Sequence, residues 1–462
     1  MLDNVGQDNI EQDNIESDNA GRDNITQNDT EQDNIMDLAD YATRKMREAG
    51  ADDGQIFVTK GECRQWEFEN GEFSRFVTTF NEDSNVAVYK DRKRGARFLN
   101  KADLKSIDLA VRDALESSAA AQADDAEGIA PNQGTICTEK GILEPDMDRF
   151  FCRLMEMKAD LEQNYPNLKI DSMDANYFKR HLVYRNTSGT VCDEHMGRYF
   201  VSLGVVGKQG DEVTNPCYEG VQLTDLERPL MDCGSFRLIA WSAERSLGAK
   251  PMEGKFTGTV LMVPNMVQEF VSNLWGLVSR GSILDGTSVW RDRLGCQVAD
   301  ERLTVRIDPS AACVCAGESI TFDGFRPEPY ELIKNGILQY FDLDYFASKK
   351  TGLPMKKNYS ANMIISPGNC SVEDMVRHID NGIWLENYAG ANPDPNGNFS
   401  GVATTCFRIR DGKIAEPLKE VSLSGNFADL AMHIRDISKE ISEDGGGSYP
   451  FISVDGVVIS GK

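Results

Sequence analysis

Residues 64–79 read RQWEFENGEFSRFVTT, and this stretch decides the fold of the first half of the chain. Apolar and polar residues alternate on both sides of Asn70-Gly71. That is the pattern of two half-buried strands joined by a two-residue turn. The alternation extends outward. QIFVTKGE (55–62) and NVAVYKDRKRGARFLN (85–100) carry the same period of two, and the Arg94-Gly95 pair is the expected place for the next turn. Upstream, DLADYATRKMREAG (37–50) changes to a helical period, with Leu38, Tyr41, Ala42, Lys45, Met46 and Ala49 on one face and Gly50 as the stop.

Further helices are expected in ADLKSIDLAVRDALESSAAA (102–121), DMDRFFCRLMEMKADLEQN (146–164) and SFRLIAWSAERSLGAKP (235–251). Strands are expected in KIDSMDANYFKRHLVYRNTSG (169–189) and RYFVSLGVVGKQG (198–210). The segment GAKPMEGKFTG (248–258), rich in Gly, Pro and Lys, reads as a linker. Beyond it strands dominate, with short helices at 265–279, 371–382 and 426–438. The fold class is α+β: an N-terminal α/β domain with antiparallel strands and helices over 37–247, followed by a β-rich C-terminal domain over 255–462.

Residues 1–36 are different in kind. The five-residue unit DNIEQ and its variants repeat there, with ten acidic residues against the single Arg22. Seven pentapeptides are too few for a stacked coil to bury a core, so a solvated, disordered low-complexity tail is expected. The whole chain has a formal charge of −25, which speaks against nucleic acid and against anionic membrane surfaces as partners. No stretch approaches the roughly 18 apolar residues of a membrane helix. The start MLDNVGQDN has neither the basic nor the apolar segment of a secretory signal, so a cytoplasmic location is expected. The eleven cysteines are then expected reduced, as small buried side chains.

Several ordered segments carry a resemblance. In the first half they are NGEFSRF (70–76), KRGARF (93–98) and YRNTSGTV (184–191). In the second half they are GTSVWRDRLGCQVADERLTVRIDP (286–309), YELIKNGILQYFDLDYFASKKTG (330–352) and GNFSGVATTCFRIRDGKIAEPLKEVSLSGNFADL (397–430). Together they resemble the TldD/PmbA family of metallopeptidase-related proteins, also described as modulators of DNA gyrase. Catalytic members of that family bind zinc through a His-Glu-x-x-x-His helix just before the segment matched here by SRGSILDGTSVW (279–290), and through a cysteine near the C-terminus. Here the helix region PNMVQEFVSNLWGLVS (264–279) contains Gln268 and Glu269 but no histidine, and the stretch matching the cysteine region is EDGGGSYP (443–450).

The resemblance therefore implies the PmbA (TldE) branch. It points to a non-catalytic subunit with no cofactor of its own, pairing with a zinc-bearing TldD-type subunit or with itself and supporting cleavage of a peptide. Asn398, Phe399 and Ser400, at an expected loop tip, are candidates for the wall of the peptide cavity. Two alternatives remain open: a metallopeptidase or other hydrolase with a rearranged site, and a gyrase-modulating binding protein.

The remaining chemistry-bearing residues give weaker signals. Cys192 and His195 have C-x-x-H spacing but no second pair nearby, and a turn between strands is expected there. Cys313 and Cys315 alternate along an expected strand, His181 stands at an expected strand start, and His378 and His433 are expected at surface or cap positions of short helices. GAKPMEGK fits all but the last position of a P-loop, where Phe256 stands, and it is expected to run into a strand rather than a helix.

Overall fold

The computed structural model describes residues 35–69 and 71–461. The repeat unit up to Asn34 lies outside the described residues. The first half contains α1 (Ile35–Glu48), β1 (Asp53–Glu69), β2 (Glu72–Lys90), β3 (Lys93–Leu99) and α2 (Leu104–Ala120). It continues with β4 (Thr135–Gly141), α3 (Met147–Asn164), β5 (Leu168–Asn186), β6 (Val191–Gln209), β7 (Glu212–Val213), β8 (Cys217–Leu223) and α4 (Phe236–Arg245).

The sheet order is β3-β2-β1-β5-β6-β4, with β7 and β8 also on β6. β1 and β2 form one long hairpin in which Glu69 faces Glu72 across the expected turn. The second turn lies three residues earlier than the Arg94-Gly95 pair. Asp91 and Arg92 both take positive φ (52° and 61°), as a twist-matched two-residue hairpin turn demands. Gly95 serves packing instead, because a Cβ there would collide with the backbone of Ala114 on α2. One strand departs from the antiparallel expectation: β4 pairs parallel with β6.

Residues two apart on a strand share a face, and this divides one face of the sheet into three zones. At one end α1 and α2 bury Ile56, Val58 and Val183. At the other, α3 and α4 bury Met173, Ala175, Tyr177, Tyr199 and Val201. Between them the same strands present a polar band that includes Lys60, His181, Asp193 and His195.

The second half contains β9 (Lys250–Pro251), β10 (Lys255–Met262), α5 (Pro264–Gly276), α6 (Arg280–Leu284), β11 (Val305–Ile307), β12 (Tyr330–Lys334) and β13 (Ile337–Leu338). Then follow α7 (Tyr345–Thr351), β14 (Met363–Ile365), α8 (Val372–Arg377), β15 (Asn381–Gly390), β16 (Asn398–Arg410) and β17 (Lys413–Lys419). The chain closes with β18 (Val421–Asn426), α9 (Phe427–Met432), β19 (Ile434–Glu443) and β20 (Ser448–Ser460). The expected linker is partly woven into this sheet, since β9 pairs with β17. Lys255 opens a strand, as expected, so the phosphate-loop pattern has no helix behind it.

Five strands of this half close into a ring. β10 pairs with β15, β15 with β16, β16 with β18, β18 with β20, and β20 returns to β10. Val260, Ile383, Leu385, Ala403, Leu423, Val454 and Val457 fill its interior, as side chains do in a small barrel. α5 and α9 pack against β20. Among the described residues no helix is long and apolar enough to cross a membrane.

α4 joins the two halves. Ile239, Ala240 and Ala243 enter the core of the first, while Leu238 and Trp241 pack on the outer face of the barrel. Trp241 stands 5.2 Å from Phe407 and 5.9 Å from Trp384. Beside it the two sheets bury one carboxyl group each. Glu386 accepts hydrogen bonds from Ser242 Oγ (2.7 Å) and Trp384 Nε1 (3.3 Å). Glu219 accepts from the backbone N–H groups of Gly220 (2.9 Å) and Ser235 (3.2 Å).

Candidate functional site

The mouth of the barrel holds an apolar pocket between α5, α9 and the ends of the barrel strands. Phe399 on β16 forms its wall, stacked on Phe427 of α9 at 4.4 Å and set edge-on to Tyr388 of β15 at 6.1 Å. Phe270 of α5 closes the far side, 5.9 Å from Phe427. The polar side chains on this lining are Glu269 and Tyr388. Glu269 stands exposed at the rim, and the apolar surroundings push its carboxyl pKa upward. The Tyr388 hydroxyl is buried without a hydrogen-bond partner. Burial and the nearby Glu269 charge raise its pKa. Its ring lies across Gly390 and Gly401, where a Cβ on either glycine would collide with it.

The three cavity-wall candidates lie on a strand rather than at a loop tip, because Asn398–Ala403 pair with β18. Strand alternation then separates them. Phe399 lines the pocket, whereas Asn398 and Ser400 are exposed, and the Asn398 amide donates to Asp394 (2.9 Å). β15 ends at Gly390, opposite Gly401. The first residues of β16 therefore have a strand partner on one side only.

The two segments that the resemblance ties to zinc meet beside this pocket. Gln268 Nε2 on α5 donates to the Tyr449 hydroxyl at 3.0 Å, and Tyr449 belongs to the 443–450 stretch. Tyr449 is 3% exposed, and burial raises its pKa, with Asp444 adding to the effect. Set against His-Glu-x-x-x-His, residues 268–273 read Gln-Glu-Phe-Val-Ser-Asn. The last of these, Asn273, donates to the Glu269 carbonyl oxygen (2.9 Å). Amides thus stand at both histidine positions, and each makes an internal hydrogen bond. Zinc needs three or four N, S or O donors free to coordinate. One rim carboxylate with an amide and a protonated phenol does not supply them.

Removing one partner of the Gln268–Tyr449 pair strands a buried polar group. Gln268→Leu is expected to destabilise the chain by about 1–3 kcal/mol. Adding Tyr449→Phe should cost less than the sum of the two single changes, since both polar groups then leave together. Denaturant melts of the four proteins test this, and simple additivity would contradict it.

The remaining sequence candidates are placed as follows. Cys192 and His195 both lie on β6, not in a turn, and point to opposite faces. Cys192 is buried with Ile136, Tyr184 and Ile320, while His195 faces His181 across the strand pair. His181 sits well inside β5 rather than at its start. Cys313 and Cys315 lie in an irregular stretch, not on a strand. His378 and His433 are the C-caps of α8 and α9, the surface or cap positions expected. The cysteines are all unpaired, but only Cys192, Cys217, Cys233 and Cys406 are buried. Asn273, Tyr388 and Tyr449 escaped the sequence reading. Asn273 has a signal in the motif spacing, whereas the two tyrosines acquire meaning only through strand register.

Comparison with known proteins agrees with this geometry. Residues 254–461 match the PmbA/TldA metallopeptidase C-terminal domain. The chain is 23% identical over 439 residues to metalloprotease PmbA of Escherichia coli O157:H7, spanning 89% of this chain and 92% of that protein. A metalloprotease of Methanothermobacter thermautotrophicus is 28% identical over 205 residues, a match spanning 44% of that protein. The fold is similar to that of TldE from Thermococcus kodakarensis, with a TM-score of 0.80 at 19% identity over 93% of this chain and all of that one. Residues 254–461 thus belong to the PmbA/TldD family as its C-terminal domain, and the chain as a whole is similar to PmbA and shares the TldE fold.

Proposed function

We propose that this chain is a non-catalytic subunit of a TldD/PmbA-type zinc metalloprotease complex, seating an extended peptide for cleavage by a zinc-bearing partner. The observation that carries the reading is the Gln268–Tyr449 contact. It joins the two segments of the family's metal site through groups that do not ligate zinc. The sequence supports the same reading, with no histidine between His195 and His378 and no cysteine between Cys406 and Lys462.

The residues at the pocket suit an extended peptide. At the start of β16 the Asn398 N–H and C=O are already bonded to Asp394, so an added strand displaces the 394–397 turn there and replaces those bonds with main-chain hydrogen bonds of its own. Phe399 and Phe427 take an apolar side chain from that strand into the pocket, where its burial contributes about 1.5–3 kcal/mol. Glu269, exposed at the rim, accepts a peptide N–H. Zinc and the water it activates belong to the partner in this scheme.

Deleting the zinc-bearing relative in a cell that makes both chains is expected to abolish processing of their peptide, although this chain is still produced. Processing that continues without the relative would sink the reading.

A further inference from the structure

A second chemistry-bearing cluster lies on the first half of the chain, in the polar band between the two helix layers. His181 on β5 and His195 on β6 are directly opposed in the antiparallel register, and their rings stack at 3.9 Å and 18°. Both Nε2 atoms turn to one carboxylate oxygen, Asp193 Oδ1, at 2.8 Å from His181 and 3.6 Å from His195. The three side chains are 28%, 38% and 24% exposed, so the cluster is open to solvent on one side and walled on the other. Each is fixed by a strand whose neighbours are packed at both ends, so the donor atoms are held together before any ligand arrives.

We infer that His181, His195 and Asp193 form a binding site for one divalent transition-metal ion of the zinc class. Two imidazole nitrogens and one carboxylate suit a borderline ion such as Zn2+, Co2+ or Ni2+. Three protein ligands leave at least one coordination position for water. The donor atoms lie within 4.8 Å of one another, and the two rings turn out of their stack to aim both nitrogens at a central ion.

The surroundings of His181 disfavour its charged form. Desolvation lowers the pKa of His181 and the charges of His195 and Lys60 add to this, against the opposing pull of Asp193. The ring therefore offers a lone pair near neutral pH. Lys60, which faces His181 on β1, is engaged by Glu82 at 3.1 Å, and Glu139 of β4 lies beside His195 in the parallel register. Without a metal, two stacked imidazoles compete for the single Asp193 acceptor. An ion joining all three groups replaces that conflict with three bonds. The site lies on the sheet of the first half, away from α5 and the barrel pocket, and does not depend on the subunit reading above.

The test uses the full chain, dialysed free of metal and titrated with Co2+ and then Zn2+. Binding of about one equivalent is expected, with visible Co2+ absorption bands that zinc displaces. His181→Ala and His195→Ala should each weaken binding by about tenfold or more. His378→Ala, which removes the histidine of the other three-residue cluster with Cys370 and Asp436, should leave it unchanged. Should either alanine variant misfold, Asp193→Asn and the histidine ring resonances of the wild-type chain give the same reading, because zinc then shifts the His181 and His195 signals alone. Occupancy below about a tenth of an equivalent, or loss of binding with His378→Ala in place of the other two, would overturn the assignment.

Discussion

Raising the pH from below 4.5 to above 7 is expected to weaken the seam between the two halves of the molecule, and Glu386→Gln is expected to remove much of that loss. Burial pushes the Glu386 carboxyl from its ordinary 4.5 up to about 7, with the neighbouring Glu219 adding to the shift and Ser242 and Trp384 opposing it. Glu219 is likewise pushed up to about 7, chiefly by burial. A carboxyl whose pKa is higher in the folded than in the unfolded chain holds its proton more tightly when folded. Its contribution is therefore complete below pH 4.5 and is lost as the pH rises through 7. For Glu386 alone the swing is roughly 3 kcal/mol. Glutamine keeps an acceptor for Ser242 and carries no charge to bury. At pH 8 the variant should be the more stable protein by about 1–3 kcal/mol, while near pH 4.5 the two should melt together. Thermal melts across pH measure this directly. A difference that does not change with pH would contradict it.

Phe399→Ala is expected to be the most damaging single change at the barrel pocket. It removes the ring that stacks on Phe427 and bounds the cavity, at a stability cost of about 2–3 kcal/mol for a half-buried aromatic. If the pocket seats the peptide, cleavage by the complex should fall at least about tenfold, as at other aromatic anchors of binding sites. Phe399→Leu keeps an apolar wall of similar reach and should retain most of the activity. The assay is peptide turnover by the complex below the variants' melting temperatures. Wild-type turnover with Phe399→Ala would remove the pocket from the account.

The parts of the fold that repeat a local pattern were legible in the sequence. The β1–β2 hairpin follows from alternation around Asn70-Gly71, and α1 from the spacing of Leu38, Ala42 and Met46, although its first turn reaches back to Ile35. Legibility fails where a residue answers to a distant one. Gly95 looks like a turn glycine because nothing local reveals α2 pressed against it. The stretch 426–438 looks helical throughout. Only Phe427–Met432 is a helix, however, and the register with β20 draws Ile434 onward into a strand.

The site divides in the same way. Gln268, Glu269 and Phe399 were reachable from motif and pattern. Sequence alone paired His195 with Cys192 by spacing, whereas strand alternation sends those two side chains to opposite faces and the register supplies His181 instead. Tyr449 gains its role only because β20 returns to lie under α5.

As a non-catalytic subunit, the proposed role, this chain would support peptide cleavage without performing it. The most direct measurement is turnover of an unstructured peptide library by the purified chain in excess zinc, alone and mixed with a TldD-type relative that carries the zinc motif. No cleavage by the chain alone is expected, and cleavage on mixing should exceed what the relative achieves by itself. Chelator-sensitive cleavage by this chain alone, at the rate of the mixture, would contradict that role.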